Sequence, residues 1–317
     1  MGLIKSASGY GGLEATPLAR IGYYDQIVAR AWERDFLPEI TNTEINERLV
    51  RCHQKVQFIR QPKVGKWRKY EKNQTLISDQ LTPEGFELTI DNAAYKSIKV
   101  DKYDIRQACE NWAAWEESFL ESTYHSLTEV WRQWVLSSMV VQTSPRNKSN
   151  NAGRYRNINL GQPGAPIVVN ATNIAGVFAR MQRILKDTHR WKEGEMFMVV
   201  PTAIMEAIST SNYANSMWVG DCQPCSLGID GFMPKKIMGF NIIETSYLPS
   251  ANDSTGQLCY YVVGGHRDAF AFAADVVEGD LDTAHNDFGV YYKMMAVWGG
   301  KAIQPDALVV GYWTIEG

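Results

Sequence analysis

Cys222-Gln-Pro-Cys225 is the pair in this sequence whose spacing best matches a chemical device, since two thiols two residues apart can be half a zinc site or a redox dithiol. A zinc site needs three or four ligands, and Cys259 and His266 lie far along the chain. A redox pair would want the rest of a thioredoxin-like unit around it. A plain loop holding two buried thiols accounts for the spacing more simply. Glu117 and Glu121 stand four apart on one helix face, where like charges repel mildly. Paired carboxylates can do acid-base work, but a solvated or subunit-facing stripe is the plainer reading. The run Lys66-Trp67-Arg68-Lys69-Tyr70-Glu71-Lys72 interleaves cations with rings, a pattern that grips single-stranded nucleic acid. On a projecting hairpin the same run serves as a contact arm for another protein chain, and that reading is preferred. The sequence contains no His-Glu-x-x-His, no Gly-x-Ser-x-Gly and no Gly-Lys-Ser/Thr, and its five histidines are well separated. No catalytic, cofactor-binding or metal-ligating residue is predicted, and the expectation is a protein that is not an enzyme.

The elements that must position such residues centre on one stretch. No Gly or Pro occurs between Gly85 and Pro145, and apolar residues recur at helical spacing through Ile105, Ala108, Trp112, Trp115, Phe119, Leu127, Trp131, Trp134 and Val135. Asp101 offers an N-cap and Pro145 a stop, so the spacing predicts a single helix of some forty residues, about 60 Å long. Glu110, Glu116, Glu117, Glu121, Glu129 and Arg132 interrupt the apolar pattern, which is Trp-rich rather than a Leu/Ile heptad. Packing against a sheet and other neighbours is therefore expected, not a coiled coil.

Before this spine, residues 1–15 carry Gly9, Gly11 and Gly12 and read as an extended arm. The spacing Ile21, Tyr24, Val28, Ala31, Trp32 predicts a short amphipathic helix ended by Pro38, and Thr43 to Arg51 a second. The opening Met-Gly-Leu-Ile-Lys-Ser matches the loose myristoylation pattern, but anchoring needs a second signal. Val56 and Phe58, then Phe86, Leu88 and Ile90, alternate like the two arms of a hairpin that turns between Lys72 and Gly85, followed by Tyr95, Ile98 and Val100. Its outgoing arm carries Arg51, Lys55, Arg60, Lys63, Lys66, Arg68, Lys69 and Lys72 against Glu71 alone, and its return carries Asp79, Glu84, Glu87 and Asp91. The two arms are of opposite sign.

Beyond the spine, 144–166 reads as a loop with a short strand near Tyr155 to Leu160. Thr172 caps a helix running through Ile174, Val177, Phe178, Met181, Ile184 and Leu185. Met196 to Val200 is a buried-strand candidate and Pro201 opens another helix. Further strands are expected over Lys235 to Tyr247, Leu258 to Val263, Val290 to Trp298 and Ala307 to Tyr312.

A chain of 317 residues can bury a large core. A net charge of −3 gives no global reason to expect nucleic acid or anionic membrane as the main partner. No apolar run approaches the roughly 18 residues of a membrane span, and the start lacks the layout of a secretion signal. Cys52, Cys109, Cys222, Cys225 and Cys259 are odd in number and scattered, which fits reduced thiols in a cytoplasm.

The order arm, hairpin, spine, α/β body resembles the major capsid proteins of tailed bacteriophages with the Hong Kong 97 fold. The hairpin from about Arg60 to Val100 leading into the Asp101 spine matches that family's first half. Glu195-Met-Phe-Met-Val-Val-Pro201 resembles its strand entering an axial domain, and Ile237 to Ile243 followed by Tyr247-Leu-Pro249 resembles a recurrent later stretch. Asp268 to Asp282, Tyr291 to Gly300 and Gln304 to Leu308 resemble its closing strands. The resemblance implies an α+β fold divided into an N-terminal arm (1–50), an extended hairpin loop with flanking strands (51–100), spine helix and peripheral domain (101–190), an axial domain (191–287) and returning strands (288–317).

The same resemblance implies a subunit that assembles with itself as hexamers and pentamers into an icosahedral virion capsid. The shell would form in the host bacterial cytoplasm and hold double-stranded DNA by confinement, with no cofactor and no membrane. Only about forty residues precede the fold's core, so a separate scaffolding protein is implied, or none; a portal and a decoration protein are the other expected partners. Lysines are plentiful, but the family's crosslinking asparagine and glutamate have no matching motif here, so no covalent crosslink is carried over. The contact this predicts places Lys63, Lys66, Trp67, Arg68, Lys69, Tyr70 and Lys72 of one subunit over Glu110, Glu117 and Glu121 of its neighbour. The alternatives are an encapsulin-like nanocompartment shell with protein cargo, a tail or baseplate ring protein, and a thiol- or metal-dependent enzyme using Cys222 and Cys225.

Overall fold

The computed structural model describes residues 33–43, 55–60, 67–72, 74–76, 78, 84–102, 106, 112–209, 236–254, 256–283 and 288–315. In chain order these form α1 (Leu37–Ile40), β1 (Lys55–Arg60), β2 (Glu84–Thr89), β3 (Asn92–Asp101), α2 (Trp112–Gln142), β4 (Ile167–Val169), α3 (Ile174–Asp187), β5 (Met196–Val200), α4 (Thr202–Ser209), β6 (Lys236–Ile237), β7 (Phe240–Glu244), β8 (Ser250–Asn252), β9 (Leu258–His266), β10 (Phe270–Thr283), β11 (Gly289–Ala302) and β12 (Leu308–Ile315). Short 3-10 turns at Pro145–Asn147, Arg267–Ala269 and Pro305–Ala307 join them.

The apolar run of β5 is buried at every position because it lies inside a sheet covered on both faces. That sheet has the order β4-β12-β9-β5-β7-β6, with β8 added on β9; β5 and β7 run parallel, as do β12 and β4. Met196, Met198 and Val200 enter one core with Val177, Phe178, Met181, Ile184 and Leu185 of α3 and Ile204 and Ile208 of α4. Phe197 and Val199 enter a second core with Phe36, Leu37, Ile40 and the α2 residues Trp131, Val135, Leu136 and Met139. Each large apolar side chain so buried contributes about 1.5–3 kcal/mol before ordering costs are counted.

The second core continues into a three-stranded antiparallel sheet, β10-β11-β3. β1 and β2 form a separate antiparallel pair, with Lys55 opposite Thr89 and Arg60 opposite Glu84. The base of that pair crosses β11 at Gly299, where an added Cβ would stand 2.2 Å from the Thr89 carbonyl oxygen. Only glycine permits that approach.

The 31 residues of α2 span about 46 Å. Its end is built as the sequence predicts. The Thr143 hydroxyl donates to the Met139 carbonyl at 2.6 Å, Lys148 Nζ donates to the carbonyls of Val140 and Val141, and Pro145 opens the next turn. Three turns then lock together. Ser144 N–H donates to Pro305 O, the buried Asn147 amide donates to Asp306 O and Leu308 O at 2.8 Å each, and the amides of Ile303 and Gln304 donate to Ala269 O.

Asp101 closes β3, paired with Gly289, and Lys102 directly after it is helical, as an N-cap at Asp101 allows; 103–105 and 107–111 lie outside the described residues. Several other expectations are corrected. Residues 155–160 form turns and an isolated Ala152–Ile158 bridge instead of a strand, because the left-handed backbone of Gly153 and Arg156 breaks the extended chain. Pro38 lies at the start of α1, where its missing N–H costs nothing, and does not end a helix. Asn173 precedes α3 without a side-chain cap; Asn170 Oδ1 instead accepts from the amides of Thr172 and Asn173. Tyr95, Ile98 and Val100 belong to β3 of the three-stranded sheet. The predicted helices before residue 33 and over 44–51 lie outside the described residues, as do Cys52, Cys109, Cys222 and Cys225.

Candidate functional site

The β1–β2 pair carries residues 61–83 at its far end, and within that span Trp67 is 99% exposed, Tyr70 70% and Leu76 79%. Arg68, Lys69 and Lys72 are exposed beside them. Lys63 and Lys66 lie outside the described residues, as does Glu110. The opposite signs of the two arms are partly used within the hairpin itself, which the sequence reading missed: Lys55 Nζ lies 3.9 Å from Glu87 Oε2 across the strands. The pair is a diagonal one, set by a register in which Lys55 faces Thr89 and Gln57 faces Glu87.

Glu117 and Glu121 project from the N-terminal half of α2 into solvent, flanked by Leu120 at 43% and Tyr124 at 51% exposure. Glu121, Thr128, Val135 and Met139 share one helix face, since 3.6 residues per turn sets them within about 40° of one another. Thr128, Val135 and Met139 are buried on that face, whereas Glu121 is exposed. The face therefore emerges from the core as the helix runs back toward its N-terminus. On the other side Phe119 meets Tyr292 of β11 edge-on, ring centroids 5.9 Å apart. On the two predicted surfaces Lys69 pairs with Glu71 at 3.9 Å and Glu121 with His125 at 3.8 Å, each within its own segment.

Arg132 departs from the expected pattern of solvated charges along α2. It is 2% exposed. Its guanidinium lies 5.4 Å from the Phe36 ring centroid and 5.7 Å from that of Tyr247, donates to Glu33 O at 3.1 Å and stands 3.6 Å from Asp35. The incoming chain at 33–42 is thereby strapped across the helix, and further on Asn42 bridges Ala271 of β10. Tyr247 completes the clamp, donating its hydroxyl to Glu129 at 2.7 Å. Burial, reinforced by the Glu129 carboxylate, pushes this phenol up to about 12.

Glu195, His266 and Asp268 bring ligand-type atoms within 4.8 Å of one another. Their bonding describes an ion-pair latch. Asp268 N–H donates to His266 Nδ1 at 3.1 Å, which leaves the proton on Nε2 to be donated to Glu195 Oε2 at 2.9 Å. Glu195 also accepts the Lys192 ammonium, which holds its carboxyl below the usual range, with His266 adding to the effect against some desolvation. A cation here would have to displace an ammonium and a ring proton. The latch sits where β9 turns toward β10, and Asp268 Oδ1 accepts from the Asn42 amide. Cys259, the cysteine among the described residues, is a fully buried thiol.

No protein-family model and no curated protein matches this sequence. Solved structures do match its fold. A structure from Mycobacterium phage Che8 superposes with a TM-score of 0.68 at 17% identity, covering 91% of this chain and 94% of that one. The bacteriophage PhiM1 mature capsid gives 0.61 at 11% identity, over 94% and 92% of the two chains. The capsid of cyanophage P-SCSP1u gives 0.61 at 11%, over 94% and 93%. The chain has a phage capsid fold. In this fold the hairpin end and the outer part of α2 both carry exposed rings and charge. None of the helices described is long and apolar enough to cross a membrane.

Proposed function

We propose that this protein is the major capsid protein of a tailed bacteriophage, a structural subunit that assembles as hexamers and pentamers into a closed icosahedral head around double-stranded DNA. One observation carries the reading: the hairpin holds Trp67 wholly and Tyr70 largely in solvent, although rings of this size are the usual anchors of protein interfaces. A two-stranded hairpin is marginal alone and gains stability by docking. The neighbour's exposed Glu117 and Glu121 beside Leu120 and Tyr124, with Glu110 preceding them in the sequence, complement a loop carrying Lys63, Lys66, Arg68, Lys69 and Lys72. Each exposed pair contributes about 0–1 kcal/mol, so the charges select register while the rings supply affinity. Repetition around a closed shell multiplies both. The capsid structures of similar fold support the same conclusion. A portal, a scaffolding protein and a decoration protein are the candidate partners of such a subunit, and the DNA is held by the closed wall.

The test is reversal of Lys66, Arg68 and Lys69 to Glu. The variant subunit is expected to remain soluble and folded, and negative-stain micrographs of the co-expressed scaffold system should show loss of shells. Shells of unchanged number and size would refute the docking surface.

A further inference from the structure

Between Glu129 and Asp187 the sequence carries eight Lys and Arg and no Asp or Glu, leaving the rest of the chain with 24 bases against 35 acids. Among these eight are the exposed Arg146, Arg154, Arg156 and Arg180, on the loop after α2 and on the helix that loop packs against. Gly153 N–H donates to Arg146 O at 2.7 Å, Ala152 and Ile158 bridge one another, and Arg156 N–H donates to Gly153 O at 3.1 Å. The resulting tight turn presents Arg154, Tyr155 and Arg156 outward, with Arg156 held at φ 52°. Underneath, Gly153 packs on α3: a Cβ there would meet Ile158 at 3.0 Å and Ile184 at 3.6 Å. Arg180 lies one helical turn from Ile184, on the exposed side of α3. Arg183, beside it, is tied to Asp187 at 3.5 Å. Arg146, Arg154, Arg156 and Arg180 are exposed and form no ion pair with any described residue.

We propose that this face, the Arg146–Arg156 loop and the outer side of α3, binds the sugar-phosphate backbone of duplex DNA and forms part of the inner wall of the shell. The proposal rests on the shell function above and adds to it a contact that confinement alone does not require. Its chemistry is that of phosphate recognition: planar guanidinium forks suit bidentate contact with phosphate oxygens, and Tyr155, 69% exposed with Arg154 5.9 Å from its ring centroid, offers a hydroxyl at the same level. The backbone hydrogen bonds of the turn and the packing of Gly153 on α3 fix where the loop arginines start from. An acidic protein partner would call for an apolar centre to the interface. From Arg146 to Lys186 the large apolar side chains exposed are Tyr155 and Val168 alone, among the described residues.

The experiment is fluorescence anisotropy of a labelled DNA duplex titrated with the full chain at salt between about 50 and 200 mM. With four phosphate contacts the logarithm of the binding constant should fall against the logarithm of salt with a slope of about −3.6. Arg146→Gln, Arg154→Gln, Arg156→Gln and Arg180→Gln together should weaken binding more than tenfold at the lowest salt and flatten the slope, while the fourfold Lys variant restores most of both. Should the Gln variant misfold, Arg154→Gln alone should reduce the slope by about one. Equal affinity and slope in parent and variants would overturn the proposal. So would a labelled poly-glutamate peptide that binds as tightly as the duplex through the same arginines, which would assign the face to an acidic protein. Negative-stain micrographs of the same variants keep the two readings apart. Shells that form from a variant unable to bind duplex support both; failure of the parent to form shells removes the shell reading while the titration still reports on this face.

Discussion

The two ends of α2 are made from the same kind of sequence and meet different fates. At the C-terminal end Val135, Leu136 and Met139 are wholly buried between the seven-stranded sheet and the strap at 33–42. At the other end the continuation of the same face shows Glu117, Glu121 and Tyr124 to solvent. A single helix thus serves as core at one end and as surface at the other. Burial on a helix is set turn by turn by what lies alongside, so a stripe of rings and acids that looks like a weak amphipathic pattern is two patterns in series.

The largest effect should come from the buried end. Leu136→Ala or Met139→Ala is expected to cost about 2–5 kcal/mol, seen as a lower urea midpoint. Leu120→Ala at the exposed end should change subunit stability by no more than about 0.5 kcal/mol and reduce shell yield instead. A Leu120 variant as unstable as the Leu136 variant would mean that this end packs on its own body. Gly299→Val should cost about 1–3 kcal/mol and open the β1–β2 amides to hydrogen exchange, since the nearest obstacle is the Thr89 backbone and not a side chain that can move. Protection unchanged at those amides would separate the hairpin from the β11 platform.

Arg132→Ala should destabilise by about 1–3 kcal/mol, with Lys failing to rescue because a point charge neither stacks on Phe36 and Tyr247 nor reaches Glu33 O in the same geometry. Full rescue by Lys would reduce the clamp to simple charge. The smallest effect is a pH dependence. The Tyr247 phenol has its folded value raised from 10.0 to about 12, so its contribution is complete below pH 10 and is lost as pH rises through about 12. Tyr247→Phe should flatten the unfolding curve over that window; an unchanged curve would show that the phenol stays neutral for other reasons or that its burial does not matter.

The elements that recur at fixed spacing were readable in advance. The Gly- and Pro-free stretch with its tryptophans became α2, the apolar run Met196 to Val200 became the central strand, and the alternating Phe86 and Leu88 found Phe58 and Val56 across a ladder. Arg132 was not readable, because a charge on an apolar helix face has the same spelling whether it is solvated or enclosed by Phe36 and Tyr247 from distant parts of the chain. Nor was the Lys55–Glu87 pair, which depends on register, or the joint at Asn147, whose partners lie some 160 residues away. The expected strand over 155–160 failed because two left-handed residues outweigh local propensity.

By itself, then, the sequence determined the periodic parts: a long helix, a hairpin of two opposite charges, two apolar-striped helices and a set of strands in order. These follow from side-chain spacing and from where Gly and Pro allow the backbone to turn, which are local properties. Only the tertiary structure decided which face of α2 leaves the core, which charges are buried and which remain unpaired, and that the loop carrying Arg146, Arg154 and Arg156 packs against the helix carrying Arg180. Those depend on contacts between residues far apart in the chain, and no local spacing records them.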